Sequence, residues 1–490
     1  MDLINSIKKN EHIRESLIRL KSLEQCDSLL QKDQQFKQTL IEFLSHEDPK
    51  IRKNSAILLG KYDDTVDILL DAYDKEKTEY VKEAYLAGIS CHNCRSYMNR
   101  LKEIQNKLIH ASEMTKHIQA QLKILNPLIL KNQVHKRKII KLKHEPVDVV
   151  LTSLPYYQFV LFESVLHLKY KPVTQGVLVR SDSLYDLLNI RTYRDMLIPL
   201  SGATGLNIDL ESIMAGFQRC HLEDILDKLY DDQSIFYFRV ADETREKHPT
   251  LIKKVSQAIF ELYPQRLLNT TDGYDIEIVL KEMKKDKVNA YLRLTHLKSS
   301  RFEYRREIIS NSMQPYIAAT LVQLAKPYMK DHGKVLDPFV GCGTLLIERN
   351  YVVPAKFAMG IDVFGKGIEA ARKNSKAAGQ NIYFVHKDAL RFVNNEMFDE
   401  IITDMPTLPQ MNDCQQLQEL YDRFFERIHR LVKPKGYVFL YTSEISLVRK
   451  NLRLQEGYLT LVEHYEIPRG KNMFYFFIMQ LKWGCNEITF

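Results

Sequence analysis

Four aspartates recur along the last third of this chain, each at the end of a short apolar run: Asp337, Asp362, Asp388 and Asp404. The first opens the segment Asp337-Pro338-Phe339-Val340-Gly341-Cys342-Gly343-Thr344. A strand that runs through an acid into a Gly-x-Gly turn lets the backbone pass close to a ligand, because glycine has no Cβ to clash. The amides of the helix that follows then face that ligand. Two phosphate-binding loops are excluded. No lysine follows Gly343, and no third glycine stands at the spacing of a dinucleotide fingerprint. What remains is a loop for a neutral nucleoside with a charged tail. One βα unit later, the Asp362 carboxylate can accept both hydroxyls of a ribose. Asp388, beside Ala389, can accept from an adenine amine, and Asp404 heads Asp404-Met405-Pro406-Thr407. A single such aspartate most often caps a helix. Four at this spacing point to one pocket.

The elements that must carry these residues alternate. Strands are predicted at Lys334–Leu336, Phe357–Ile361, Ile382–His386, Glu400–Thr403, Tyr437–Tyr441, Leu459–Tyr465 and Phe474–Leu481, with helices between most of them. That order predicts a doubly wound, Rossmann-like α/β sheet, with ligands at the carboxyl edge. The last two strands leave no room for a helix and should pair as an antiparallel hairpin at one edge. Phe474-Tyr475-Phe476-Phe477 reads as a buried edge strand. Residues 1–134 read as successive helices. Ile51-Arg52, Ala56 and Leu59-Gly60 recur loosely as Val81-Lys82, Ala84, Ala87 and Ile89, a phrase that resembles HEAT repeats. The basic run His135-Lys136-Arg137-Lys138, with Lys141 and Lys143, marks a boundary or linker. Residues 135–303 read as an α+β domain, with strands near 147–152, 176–180, 235–240, 274–280 and 289–294, the last two forming a hairpin.

At the cofactor-type loop a resemblance becomes specific. The segment from Asp337 to Thr344 is similar to the D-P-F-C-G-S-G-T loop of Rossmann-type methyltransferases that modify exocyclic nitrogens of RNA or DNA bases. Arg301-Phe302-Glu303-Tyr304-Arg305 and Ser312-Met313-Gln314-Pro315-Tyr316-Ile317-Ala318-Ala319 resemble the leading segment of the THUMP-associated members. Arg191-Thr192-Tyr193-Arg194-Asp195 resembles their preceding domain. The resemblance implies a class I methyltransferase domain at 304–490, a THUMP-like RNA-capturing domain before it, and methyl transfer to a base amine, guanine favoured, in tRNA or rRNA. It implies S-adenosyl-L-methionine as cofactor. Asp362, Asp388 and Ala389 would hold its nucleoside, while Asp337, Phe339, Gly341, Gly343 and Thr344 would surround its methionine end. Asp404 and Pro406 would orient the amine for in-line transfer, without a metal. The family's Asn/Asp-Pro-Pro-aromatic motif is altered here, with Met405 for the first proline and Thr407 for the aromatic. Either the base stacks elsewhere, on Phe339, or the domain binds without catalysing.

Composition narrows the setting. The chain has 490 residues, 45% hydrophobic and 27% charged, which fits a multidomain globular protein and argues against wholesale disorder. No apolar run approaches the roughly 20 residues of a membrane span. Seven scattered cysteines make no disulfide framework and suggest a reducing cytoplasm. The net charge of +8 suits either ordinary solubility or a polyanionic partner. Cys91-His92-Asn93-Cys94 lacks a second pair for a four-ligand zinc site and reads as helix packing, as does Cys342. The helical N-terminus could hold a protein partner as readily as RNA. The rival readings are an inactive RNA-binding scaffold and a methyltransferase acting on protein or a small molecule.

Overall fold

Two glycines set how the first helices pack. Helices Pro49–Leu59 and Glu79–Ile89 approach so closely that a Cβ on Gly60 would lie 2.5 Å from Gly88 Cα, and one on Gly88 would lie 2.6 Å from the Ala56 carbonyl oxygen. Asp48 caps the first of them, accepting from the Lys50 amide at 2.8 Å, with Pro49 in the first turn. Helices Val66–Lys75, Met98–Ile109 and Lys116–Asn132 continue the series. Arg52 forks onto Glu76 at 2.8 and 2.9 Å. Burial raises the Glu76 carboxyl, but this pair and the Thr78 amide outweigh it and hold the pKa at about 2. Cys94 is buried among these helices, and its amide donates to Asn132 at 2.9 Å.

The structure is a computed structural model. It describes residues 2–482 apart from 10, 24–25, 27–29, 31–32, 133–137, 232–234, 285, 311, 395 and 412. Most of the predicted basic run, His135 to Arg137, therefore lies outside the described residues. Lys138, the run's last residue, is buried, its Nζ 4.6 Å from the centre of the Phe236 ring.

The chain divides into two units, each made of two segments. Met1–Ile140 joins Leu200–His296, and Lys141–Pro199 joins Leu297–Phe490. In the first unit, strand Phe236–Glu243 runs parallel to both Leu267–Asn269 and Ile276–Lys284. Ile276–Lys284 forms the expected hairpin with Lys287–Leu294. Helices Leu210–Arg219, Leu222–Leu229 and Pro249–Leu262 belong to the same unit. In the second unit, Val147–Thr152 pairs antiparallel with Gly176–Ser181 on one side and Met196–Pro199 on the other.

The rest of the second unit is a seven-stranded sheet. Its strands are β1 (Lys334–Asp337), β2 (Phe357–Asp362), β3 (Tyr383–His386), β4 (Phe398–Asp404), β5 (Val432–Thr442), β6 (Leu459–Arg469) and β7 (Asn472–Leu481), in the order β3-β2-β1-β4-β5-β7-β6. Strands β1 to β5 are parallel, and β7 is antiparallel to both neighbours. This is the class I methyltransferase order, a Rossmann-like α/β fold. The central strands read as apolar runs because both faces are covered. The expected terminal hairpin forms. However, the edge strand is β6, and the aromatic Phe474–Phe477 segment lies one strand inward on β7, where Phe476 and Phe477 are buried. Sandwiched between β5 and β6, β7 needs apolar side chains on both faces.

Buried charge fastens the Lys141–Pro199 segment to this sheet's helices. Arg191 donates to both Glu348 carboxylate oxygens at 2.7 Å, and the Tyr304 hydroxyl donates to one of them at 2.7 Å. Glu348 sits on helix Thr344–Val352 with its side chain wholly buried, and Arg191 stacks 4.2 Å above the Tyr351 ring. Arg301 donates to the Ile190 carbonyl at 2.6 Å and lies 3.5 Å over Tyr193. The segments around Arg191 and Arg301 thus interlock. On the same helix, Arg349 pairs with Glu400 of β4, both side chains almost fully buried.

Two stability effects are expected. Glu348→Gln leaves the Arg191 guanidinium without its counter-charge and should lower unfolding free energy by roughly 3–5 kcal/mol, read from denaturant melts. Gly88→Ala forces a methyl against the Ala56 carbonyl and should cost about 1–3 kcal/mol. A melt identical to that of the unaltered protein would refute the close helix approach.

Candidate functional site

The switch point of the sheet lies between β1 and β4, where open α/β sheets bind ligands. A cavity of about 530 Å³ opens there, within the usual range for small-molecule sites. Asp337, Asp362, Asp388 and Asp404 all line it, with Phe339, Gly341, Thr344, Ala389 and Pro406. Gly343 does not. It turns the chain at φ +83°, and a Cβ there would lie 3.3 Å from Ala371 of helix Gly365–Ala377. Gly341, at φ +51°, has only the Ile309 side chain within 4 Å of a would-be Cβ. The backbone there is bare toward the cavity, a cradle that a side chain would fill.

Each carboxylate is held differently. The Gly341 amide donates to Asp362 Oδ2 at 2.8 Å, and the Phe364 amide donates to its Oδ1 at 2.9 Å. Asp388 accepts from the Leu390 amide at 2.8 Å as the cap of a short helical turn. Asp337 is almost fully buried, and its Oδ1 accepts from Thr403 Oγ1 at 2.8 Å and from the Phe339 amide at 3.1 Å. Burial pushes its carboxyl up to about 8; the two donors oppose this, while Asp362 and Asp404 add repulsion. Burial also lifts Asp404 to about 7, with Arg469 opposing. Among the described residues no side chain or amide donates to the Asp404 carboxylate. It is free to accept from a ligand.

The loop after Asp404 is pinned. The Met405 amide donates to the Tyr441 carbonyl at 2.9 Å, and the Pro406 carbonyl accepts from the Tyr421 hydroxyl at 3.0 Å. Thr407 is buried, so no stacking surface stands in place of the family's aromatic. Phe339 is half-buried at the cavity wall, edge-on to Phe424 with ring centres 5.6 Å apart.

Several wall residues were not visible in the sequence pattern. Ile309, Ser312 and Met313 close one side. Asn374 holds this segment. Its Nδ2 donates to the carbonyls of Glu307 at 2.9 Å and Cys342 at 3.0 Å, and its Oδ1 accepts from the Glu307 amide at 2.9 Å. Thr403, donor to Asp337, is the residue before Asp404, and only that adjacency could have flagged it. Cys342 is buried, its thiol 3.3 Å from the Ser312 hydroxyl.

Comparison with known proteins fits this geometry. Residues 303–467 match the family described as UPF0020: RMKL-like, methyltransferase domain. The chain is 25% identical over 175 residues to the tRNA (guanine(10)-N2)-dimethyltransferase of Methanothermobacter thermautotrophicus, covering 34% of this chain and 51% of that protein. It is 26% identical over 228 residues to the tRNA (guanine(6)-N2)-methyltransferase of Thermus thermophilus, covering 44% of this chain and 64% of the relative. The chain thus spans between about half and two thirds of these curated relatives. In fold, it resembles TrmN from Thermus thermophilus with a TM-score of 0.52 at 19% identity, over 69% of this chain and 99% of that one. It also resembles SMU.472 complexed with SAH, with a TM-score of 0.53 at 17% identity, over 69% of this chain and 98% of that one. Residues 303–467, about a third of the chain, are thus similar to the UPF0020, RMKL-like, methyltransferase domain family.

Proposed function

We propose that this chain methylates the exocyclic amine of a guanine in tRNA, using S-adenosyl-L-methionine. One observation carries the reading: four aspartates from four successive parallel strands or their ends line one cavity beside a bare glycine turn. The names of the two curated relatives supply the guanine amine and the tRNA. In this reading Asp362 and Asp388 hold the nucleoside, with Ala389 against the base. Asp337, Phe339, Gly341, Gly343 and Thr344 surround the methionine end. Bound there, S-adenosylmethionine supplies an electrophilic methyl group on a positively charged sulfur. Asp404 accepts a hydrogen bond from the target amine, aims its nitrogen lone pair into the cavity, and takes the proton the amine loses. Pro406, fixed by Tyr421, forms the wall beside it. Phe339 is the stacking surface for the base, since Thr407 is buried.

The remaining parts extend this reading. The first helices, with their Gly60–Gly88 approach, serve as HEAT-like repeats that hold RNA or a protein partner. The mixed-sheet middle of the chain acts as a THUMP-like RNA-capturing element, and rRNA is the alternative substrate to tRNA. A cytoplasmic setting suits the scattered cysteines, of which Cys94, Cys220 and Cys342 are buried thiols.

Labelled-methyl transfer to total RNA, with and without ribonuclease, tests the activity. Cofactor binding without transfer to any RNA would favour a scaffold instead, and ribonuclease-resistant transfer would indicate protein or a small molecule. Asp404→Ala should slow transfer by about 10²-fold with cofactor affinity little changed. Asp404→Asn keeps an acceptor but cannot take a proton. The unaltered rate should rise as pH passes about 7, where Asp404 ionises, and this rise should vanish in Asp404→Asn.

A second expectation concerns binding alone. Asp337 and Asp404 ionise near pH 8 and 7, and a cationic sulfur favours their charged forms. Below these values both carboxyls are neutral and discriminate little. From pH 6 to 9, S-adenosylmethionine should therefore gain several-fold in affinity over the uncharged thioether S-adenosylhomocysteine. Calorimetry would show it, and a pH-independent ratio would refute the electrostatic account of the cavity.

A further inference from the structure

A second cavity, of about 660 Å³, lies in the same unit. Its walls include Arg194, Arg301 and Arg469, together with Phe302, Gln314 and Tyr316. Three guanidiniums gather here with little acid to balance them. Arg194 faces Asp195 at 3.8 Å, beyond hydrogen-bond distance, and its side chain is 58% exposed. The Arg301 guanidinium donates to the Ile190 and Arg194 backbone carbonyls at 2.6 and 3.4 Å. Among the described residues Arg469 forms no ion pair. It lies over the Phe474 ring at 5.3 Å, at the tip of the β6–β7 hairpin, where Gly470 at φ +64° makes the turn.

This cavity touches the catalytic carboxylate through two residues. Asp404 and Tyr441 are register partners on adjacent parallel strands, so their side chains emerge on the same face of the sheet. Tyr441 is fully buried, stacked on Phe474 at 5.1 Å, and its hydroxyl has no hydrogen-bond partner. Arg469 is the side chain placed to donate to that hydroxyl, which also senses Asp404 and Tyr316. Arg469 is also the cation that opposes the effect of burial on Asp404. An unbalanced guanidinium cluster next to a buried, unsatisfied hydroxyl suits an anion with several acceptor oxygens.

We propose that the Arg194–Arg301–Arg469 cavity seats a backbone phosphate of the substrate RNA beside the target nucleotide, while the base enters the aspartate-lined cavity. The inference rests on the RNA-methyltransferase reading above and adds where the strand is gripped. Arg469 then has two roles. It binds phosphate, and it keeps Asp404 ionisable near neutral pH.

The test uses the full chain, tRNA and a salt series. Each neutralised phosphate contact contributes about 0.7–0.9 to the slope of log affinity against log salt. Arg194→Gln and Arg469→Gln should each flatten the slope by about that amount and raise the KM for RNA several-fold, with S-adenosylmethionine affinity unchanged. Arg469→Lys keeps a charge and should restore most of the slope. Arg469→Gln should also move the pH midpoint of transfer upward, which a merely structural defect would not do. If the unaltered chain binds and methylates RNA while both glutamine variants keep its slope and KM, the phosphate seat is overturned and the function stands. If the unaltered chain binds no RNA, both fall. Should Arg469→Gln fail to fold, the more exposed Arg194 decides alone, and an unchanged slope there overturns the proposal.

Discussion

Like charges crowd the carboxyl edge of this sheet, and the domain is arranged around that cost. Four carboxyl groups share one cavity of about 530 Å³. Two are satisfied by backbone amides, Asp362 by Gly341 and Phe364, and Asp388 by Leu390. Burial suppresses the ionisation of the other two, so that at pH 7 Asp337 is mostly neutral and Asp404 only partly charged, which limits their mutual repulsion. A cationic ligand removes the rest of the penalty. In the proposed reading, a sulfonium nucleoside relieves the electrostatic strain built into this sheet edge.

The same residues that hold the charges also hold the chain. The Gly341 amide satisfies Asp362, and Gly343 lets the loop turn into helix Thr344–Val352. Glu348 of that helix carries the Arg191–Tyr304 pair, and its neighbour Arg349 reaches Glu400 on β4. Asn374 ties the Glu307 segment to the loop at Cys342. Loop, helix and the wall around Ile309 are therefore one connected body, and a disturbance at Glu348 would reach the Gly341–Thr344 turn through the first turn of the helix.

The parallel sheet and its aspartates were legible in the sequence because each signal is local: an apolar run, an acid, a glycine turn. The pairing of 276–284 with 287–294 was legible for the same reason. Other features depend on partners distant in sequence. Nothing near Arg191 announces Glu348, which lies 157 residues on. Glu348 and Arg349 look like solvent-facing charges, since ionised groups are seldom fully buried. Short strands such as Lys169–Val173 and Met196–Pro199 carry too few residues for a period to show. The position of the aromatic strand was misread because pairing order, unlike strand identity, is set by the crossover. A hairpin alone does not say which of its arms faces outward.

The interleaved segments bear on how the chain acquires its form during synthesis. Lys141–Pro199 leaves the ribosome before Leu200–His296, yet belongs with residues made after both. At about 5–20 residues per second, the arm waits on the order of ten seconds for its partners. Val147–Thr152 and Gly176–Ser181 can pair with each other in that interval, but the later segment of their unit is still to be made. The order of synthesis thus makes the closing of this unit wait for residues 297–490.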